Sequence, residues 1–277
     1  MVVFIAFGLL VGATAFSSPM WRWSGGGKNR PHLYRSKPLI DWILDGAGLF
    51  VQGVLIPILQ ITVMYHLWAL LLPHAQASLN FGVLPAFLLS FVGVDYLYYW
   101  NHRWLHSSRA WPIHKIHHTV TQMDVLGTSR NTLWSSFFIV YLWVHALMIY
   151  LLSDPTGYIL GVSLTSALDL WRHSRFSPVP SSIFYRILAP WLMLPQDHAH
   201  HHQRADDQRI DDQIVDDKFG AGLPRHSPHC SPQPCNFGAN LKLWDRLHHT
   251  YKPSTRYPRQ LGTTTNLSLV RQLLFPF

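Results

Sequence analysis

Three histidine clusters at metal-ligand spacing are the residues of this chain best suited to chemistry. They read His102-Arg-Trp-Leu-His106, His114-Lys-Ile-His117-His118 and His198-Ala-His200-His201-His202. Residues four apart lie on one face of a helix, so each cluster can direct two neutral imidazoles to one point. A single zinc or iron ion takes about three to six donors, which is fewer than these clusters supply. The spacing therefore predicts two metal ions held close together, with His200 on the opposite helical face and outside the ligand set.

Further polar residues are expected to complete or support this centre. His173 follows an apolar stretch at the same depth as the first cluster, and we expect it to be a ninth ligand. Metal-bound histidines usually donate their second N–H to a carboxylate or a carbonyl. The aspartates near the ligands in sequence are Asp95, Asp169, Asp197 and Asp245. Asp95 and Asp169 are favoured because a carboxylate at the end of an apolar stretch needs a partner.

The cysteines and the last histidines do not extend the ligand set. Cys230 and Cys235 are the only cysteines, which fits a reducing compartment and no disulfide framework. With His226 and His229 they could form a small zinc site, although the intervening serines and prolines favour a solvated loop. His248 and His249 are adjacent, so at most one of them could reach a metal.

Apolar stretches of bilayer length must position the histidines. The chain is 48% hydrophobic and only 13% charged, about half the charged fraction of a soluble domain. A spanning helix needs about 20 apolar residues. Candidate segments are residues 49–72, 79–100 and 133–152, with two shorter ones at 156–171 and 1–16. We therefore expect an all-α integral-membrane bundle of about four to five segments.

The basic residues alternate regularly along these segments. Lysine and arginine precede residue 49, follow residue 100 and recur after residue 171, whereas linkers 73–78 and 153–155 contain neither. Basic loops face the cytoplasm, so all three clusters should form a cytoplasmic, histidine-rich catalytic cap. The net charge of +8 then suits the anionic cytoplasmic leaflet. Nucleic acid is not an expected partner, because no recognition motif or basic stripe accompanies the charge.

Longer motifs around the clusters resemble the fatty acid hydroxylase/sterol desaturase superfamily over roughly residues 90–251. The matching segments are Asp95-Tyr-Leu-Tyr-Tyr-Trp-Asn-His102-Arg-Trp-Leu-His106, Trp111-Pro-Ile-His114-Lys-Ile-His117-His118, the third cluster, and Asn236-Phe-Gly-Ala-Asn-Leu-Lys-Leu-Trp244-Asp245-Arg-Leu. Two features depart from the family pattern: His248-His249 replaces Phe-Gly, and the stretch between His202 and Asn236 is long. The expected organisation is membrane segments and a basic loop in 1–90, a catalytic domain in 91–251 and a tail in 252–277.

The resemblance implies a non-haem di-iron centre that activates O2 and hydroxylates or desaturates a lipid C–H bond. The lipid could be a sterol, a fatty acyl chain or a carotenoid. Electrons would come from cytochrome b5 or a ferredoxin system, which fits a chain without a G-x-G-x-x-G fingerprint. Zinc could replace iron in a purified sample. Tyr96, Tyr99 and Trp100 are expected to line the substrate cavity.

Two alternatives remain open from the residues alone. A membrane zinc hydrolase would also use histidine ligands, but no glutamate base of the H-E-x-x-H kind lies in the clusters. A metal transporter or metal-binding membrane protein is the non-enzymatic alternative. Transport sites usually lie near the bilayer midplane, whereas these clusters lie at its edge.

Overall fold

The computed structural model describes residues 37–204, 234–253, 257–258 and 260–277. Every named element in these ranges is a helix, and β-pairing is limited to isolated bridges, which confirms the all-α class. Several sequence-based expectations lie outside the described residues. They concern the segment 1–16, the basic residues before Lys37, and His226, His229 and Cys230.

Within the described ranges, two helices are long and apolar enough to cross a membrane. Helix α1, Leu39–Leu71, has 33 residues, and helix α2, Val83–Leu105, has 23. At about 1.5 Å per residue both exceed the roughly 30 Å of a hydrocarbon core. Their outer faces carry many exposed leucines, isoleucines and valines, including Leu70 at 77% exposure. Such a continuous apolar surface suits lipid contact and would favour aggregation in water.

Two shorter helices complete the apolar bundle. Helix α4 is Val140–Leu151, with 12 residues, and helix α5 is Thr156–Arg172, with 17 residues. The prediction of one apolar helix over residues 133–152 was wrong at its start, because the chain forms a 3-10 turn at Ser135–Phe138. Asn101 accepts a hydrogen bond from the Val140 N–H at 3.2 Å and donates to the Phe138 carbonyl at 2.9 Å. The side chain of Asn101 thus holds the point where α4 begins.

The helices alternate in direction, so their connections collect at two ends of the bundle. Leu79 N–H donates to the Leu151 carbonyl, and Ser153 N–H donates to the Leu79 carbonyl, both at 2.9 Å. The loop after α1 and the turn after α4 therefore meet at one end. Helices α2 and α5 both finish at the other end, which brings His102 and His173 to the same level.

Small residues allow α5 to lie close against α2. A Cβ atom added at Gly157 would lie 2.1 Å from the Val83 carbonyl oxygen. One added at Gly161 would lie 2.8 Å from the Ser90 Cβ. Backbones can approach this closely only where glycine stands, as is common between membrane helices. The contact sets the height of α5, and hence of His173, relative to α2.

Short helices cover the histidine end of the bundle. They are α3 Trp111–His114, α6 Ile183–Leu188, α7 Pro195–His201, α8 Leu243–Leu247 and α9 Leu269–Leu274. The segment that was expected to be a tail packs directly on this cap. Gly262 N–H donates to the His202 carbonyl at 3.0 Å, and Thr263 N–H donates to the His118 carbonyl at 2.6 Å. The C-terminal residues therefore help to hold the second and third clusters in place.

Candidate metal centre

The histidines of the three clusters and His173 assemble into two buried groups. The five-histidine group contains His102, His106, His114, His118 and His201. The four-histidine group contains His117, His173, His198 and His202. The ligand atoms within each group all lie within 4.8 Å of one another. The structure thus brings together all nine residues that the sequence nominates as ligands, and it leaves His200 outside both groups.

The division between the groups follows helical geometry. Each pair of histidines four residues apart stays in one group: 102 with 106, 114 with 118, and 198 with 202. Successive helical residues are about 100° apart around the axis, so a histidine between the members of a pair faces elsewhere. His117 accordingly joins the four-histidine group, and His201 joins the five-histidine group. Each of these two clusters therefore links both groups.

Backbone carbonyls fix the orientation of four imidazole rings. Their Nδ1 atoms lie 2.7–3.2 Å from carbonyl oxygens, in the pairs His102–Phe237, His117–Arg130, His173–Asp169 and His201–Cys235. A carbonyl can only accept, so Nδ1 carries the proton in each neutral ring. The Nε2 lone pair then points into the group, as metal ligation requires.

The spacing of the Nε2 atoms fits a metal ion in each group. His102 and His114 approach to 3.0 Å, and His106 and His201 to 3.1 Å. In the four-histidine group the corresponding distances from His173 are 3.1 Å to His198 and 3.4 Å to His117. Donors about 2.1 Å from one ion are about 3.0 Å apart at 90° and about 3.4 Å apart at a tetrahedral angle. Converging lone pairs repel one another unless a cation lies between them.

Burial keeps the rings outside the apolar helices in the neutral form. It lowers the pKa of His117 to about 3 and that of His201 to about 4. It also lowers the pKa of His114, His118 and His198 well below the usual range. Burial disfavours the charged imidazolium, so all five rings offer lone pairs at neutral pH.

Acidification should release the metal and destabilise the cap. An unfolded histidine has a pKa of about 6.5, whereas these folded histidines have depressed pKa values, so the unfolded chain binds more protons as pH falls. The free energy of unfolding and the number of bound metal ions should be highest above about pH 6.5. Both should fall progressively as the pH is lowered toward about 4. Metal analysis and thermal unfolding of equilibrated samples from pH 8 to pH 4 test this. Unchanged metal content and melting temperature at pH 4 would contradict it.

The four nominated aspartates support the backbone more than the rings. Only Asp169 contacts a ligand ring, with Oδ1 3.4 Å from His173 Nδ1, and its own carbonyl lies closer at 2.9 Å. Asp245 accepts from Gly238 N–H at 2.7 Å and so holds the peptide unit whose carbonyl, that of Phe237, orients His102. The structure therefore differs from the expectation that carboxylates would be the direct ring partners.

The other two aspartates also bind elsewhere than at a ligand ring. Asp95 accepts from the backbone N–H groups of Asn240 and Leu241 at 2.8 and 3.1 Å, and from the Trp244 indole at 3.0 Å. Asp197 forms an ion pair with Lys242 at 2.7 Å. Asp95 thus fastens the segment after residue 234 to α2, and Asp197 fastens it to α7. Sequence reasoning missed the orienting carbonyls because a carbonyl has no side-chain signature.

A buried network of ion pairs surrounds the side chain of Arg130, whose carbonyl orients His117. Arg130 Nε donates to Asp45 at 2.6 Å, and its Nη1 donates to Asp41 at 3.1 Å. Lys37 pairs with Asp45 and, at 2.9 Å, with Asp124. The network joins α1 to the segment that follows the second cluster. Arg130 entered the sequence-based prediction only as one of the basic residues that follow residue 100, so its structural role was missed.

The aromatic residues that the sequence predicts to line a substrate cavity, Tyr96, Tyr99 and Trp100, contact His248. The Tyr96 and Tyr99 rings stack on its imidazole at centroid distances of 5.8 and 5.1 Å, and the Trp100 ring meets it edge-on at 4.8 Å. The Tyr99 ring also lies edge-on to the Phe237 ring at 6.1 Å, and Phe237 contacts His102, His106 and His201. His248, which replaces a phenylalanine of the family pattern, therefore serves as a packing partner for α2.

The donor set of the two groups is purely imidazole. Neither group contains a carboxylate or a thiolate, and the whole sequence contains no glutamate. A glutamate base of the zinc-protease type and glutamate bridges of the ferritin type are therefore both excluded. Cys235, which was expected in a solvated loop, is buried and contributes its carbonyl to His201.

Comparison with known proteins identifies the same region. Residues 87–224 match the family described as fatty acid hydroxylase. The chain is similar to alkylglycerol monooxygenase from Danio rerio, with 23% identity over 171 residues, which is 60% of this chain and 30% of the relative. The relative of that name from Xenopus tropicalis is 24% identical over 170 residues, again 60% of this chain and 30% of the relative.

The aligned region spans about three tenths of the length of these relatives. No solved structure matches the chain. The family match covers the first two histidine clusters, His173 and the third cluster, which are the residues that assemble the two groups. This chain belongs to the fatty acid hydroxylase family.

Proposed function

We propose that this protein is a membrane-bound di-iron oxygenase that hydroxylates or desaturates a C–H bond of a lipid. The observation that carries the proposal is the convergence of nine imidazoles into two adjacent groups at one end of an apolar helical bundle. Imidazole suits iron, and two groups with five and four donors suit two ions. Family membership and monooxygenase relatives support oxygen chemistry on a lipid.

The two iron ions, when bound, would supply the reduction of dioxygen and the removal of hydrogen from an unactivated C–H bond. Hydroxylation consumes one O2, two electrons and two protons per C–H bond and releases one water. Desaturation with the same inputs releases two waters and leaves a double bond. The histidines contribute neutral lone pairs, and the carbonyls behind them keep the rings from turning. The surrounding burial excludes bulk water from the reacting groups.

The similar proteins and the sequence indicate which lipids and which electron donors to test. Relatives named alkylglycerol monooxygenase make an ether lipid one substrate class to test, beside sterols, acyl chains and carotenoids. A substrate of this kind could enter from the bilayer between the helices. The two electrons would come from cytochrome b5 or a ferredoxin with its reductase, since the chain has no dinucleotide fingerprint.

We further propose the topology that places the centre at the cytoplasmic surface. Helices α1, α2, α4 and α5, with residues 1–16 as a further segment, would provide four to five membrane segments. Arg103, Arg109 and Lys115 lie in sequence at the histidine end, which the positive-inside rule assigns to the cytoplasm. Residues 91–251 would then form the catalytic domain. Accessibility labelling of cysteines introduced at positions 109 and 154 tests the two sides.

Iron analysis combined with oxygen uptake tests the proposed activity. The full chain in lipid nanodiscs should bind about two iron ions and consume O2 only with a reductant and a lipid. Lipid profiling of the expressing host should show an oxidised product that is missing with His118→Ala. Iron-replete protein that neither consumes O2 nor alters any lipid would contradict the proposal. Hydrolysed lipid formed without O2 would instead support a zinc hydrolase.

A further inference from the structure

An arginine beside the metal centre has hydrogen-bonding capacity that the described chain does not use. Arg172 is 3% exposed and immediately precedes His173. Its Nη2 donates to Asp169 at 2.5 Å, whereas Nε and Nη1 have no partner among the described residues. A guanidinium has five N–H donors and stays charged in proteins. Buried donors of this kind are nearly always satisfied in folded proteins.

Two tyrosines interact electrostatically with this arginine. The rings of Tyr98 and Tyr141 stack face to face, with centroids 4.7 Å apart and planes 2° apart. The Tyr98 ring lies 5.2 Å from the His102 ring of the five-histidine group. The hydroxyl of Tyr141 is buried and, like the two arginine nitrogens, has no partner among the described residues. Both phenols lie within electrostatic reach of Arg172.

The tyrosine pair and Arg172 lie next to different histidine groups. Tyr98 contacts a ligand of the five-histidine group, and Arg172 adjoins a ligand of the four-histidine group. Behind Tyr141 the aromatic column continues through His145, stacked at 5.0 Å, whose Nδ1 lies 2.9 Å from the Tyr158 hydroxyl. Tyr158 belongs to an apolar cluster with Ala86, Val94 and Leu152. The polar groups of Arg172 and Tyr141 are thus followed, farther from the histidines, by the apolar cluster that contains Tyr158.

We propose that Arg172 and Tyr141 bind an uncharged oxygen atom of the lipid substrate, in a hydroxyl, ether or ester group. Three buried donor atoms without a partner among the described residues, two on Arg172 and one on Tyr141, suit an oxygen acceptor. The charge of Arg172 is already balanced by its ion pair with Asp169, so the site favours a neutral oxygen over a carboxylate. The hydrocarbon part of the lipid would extend toward the apolar cluster that contains Tyr158. This proposal rests on the function proposed above and names its substrate class.

A binding experiment without turnover tests this assignment. The iron-loaded full chain in nanodiscs is titrated with hexadecanol and with hexadecane, without O2 or reductant, and a spectral change of the metal centre reports binding. Tyr141→Phe should weaken hexadecanol binding about tenfold, because it removes one buried hydrogen bond, and should leave hexadecane binding unchanged. Tyr150→Phe is the matched control, since that hydroxyl donates to the Leu72 carbonyl at the other end of the bundle.

A second variant protects the test against a folding defect. Arg172→Lys keeps the positive charge but loses the planar set of donors, so it should also weaken hexadecanol and spare hexadecane. Iron content and melting temperature show whether each variant is intact. Equal effects on both ligands, or none on either, would overturn the assignment.

Palmitate, the carboxylate of the same chain length, is the third probe. If palmitate binds at least as tightly as hexadecanol, the claim of a neutral oxygen is overturned. Failure of the proposed function looks different. In that case the iron-loaded wild-type chain would consume no O2 with a reductant and a lipid, whatever preference it shows between the alcohol and the alkane.

Discussion

His198→Gln should remove the metal from the four-histidine group and abolish lipid oxidation. His198 contacts His173 and His202 through Nε2 distances of 3.1 and 3.2 Å, so it lies at the middle of that group. Iron content should fall from about two ions per chain to about one. Turnover should fall by more than the roughly 10- to 100-fold that loss of a supporting hydrogen bond around a ligand costs.

The neighbouring residue provides a matched control for this loss. His200 lies on the same helix, α7, and is also buried, but it belongs to neither group and contacts Gln203 at 3.0 Å. His200→Gln should therefore keep both iron ions and most of the activity. Iron analysis and oxygen uptake on both variants decide the matter. If the two variants behaved alike, the ligand assignment in α7 would be wrong.

Arg130→Met should be among the most destabilising single substitutions in the described chain. It leaves the carboxylates of Asp41 and Asp45 without their guanidinium in a buried network that also contains Lys37 and Asp124. Breaking a buried ion pair from one side costs about 3–5 kcal/mol of unfolding free energy. The network ties α1 to the segment after the second cluster, so the cap should loosen as well.

The measurement is reversible unfolding in mixed micelles, with iron content as a second readout. Arg103→Met is the control, because Arg103 lies on the surface over the Trp100 ring and should cost no more than about 1 kcal/mol. Iron should also be bound more weakly in Arg130→Met, since the Arg130 carbonyl orients His117. A loss below about 1 kcal/mol in Arg130→Met would show that the network does not stabilise the fold.

Several features of the centre could be predicted because they depend on local geometry. The pairs 102 with 106, 114 with 118, and 198 with 202 stay together because helical spacing alone puts residues four apart on one face. The apolar character of α1 and α2 is likewise a property of their own residues. The position of His173 at the end of α5 followed from the length of the apolar stretch before it.

Other features were beyond prediction because they depend on contacts between distant residues. The start of α4 lies seven residues after the predicted point, because Asn101 from α2 holds the preceding turn. His248 packs into a set of aromatic rings on α2, which no property of its own neighbours in sequence indicates. The partners of the aspartates could not be assigned either, since backbone N–H groups from many segments compete for a carboxylate.

The sequence by itself therefore determined the imidazole donors that the two groups contain, the pairing of histidines four residues apart and the apolar helices that carry them. Only the tertiary structure decided how the histidines divide between two groups and which carbonyls orient their rings. The physical reason is the distance along the chain over which each interaction acts. A helix sets the spacing of its own side chains, whereas the bond from His102 to the Phe237 carbonyl joins residues 135 positions apart and exists only after the cap has folded over the bundle.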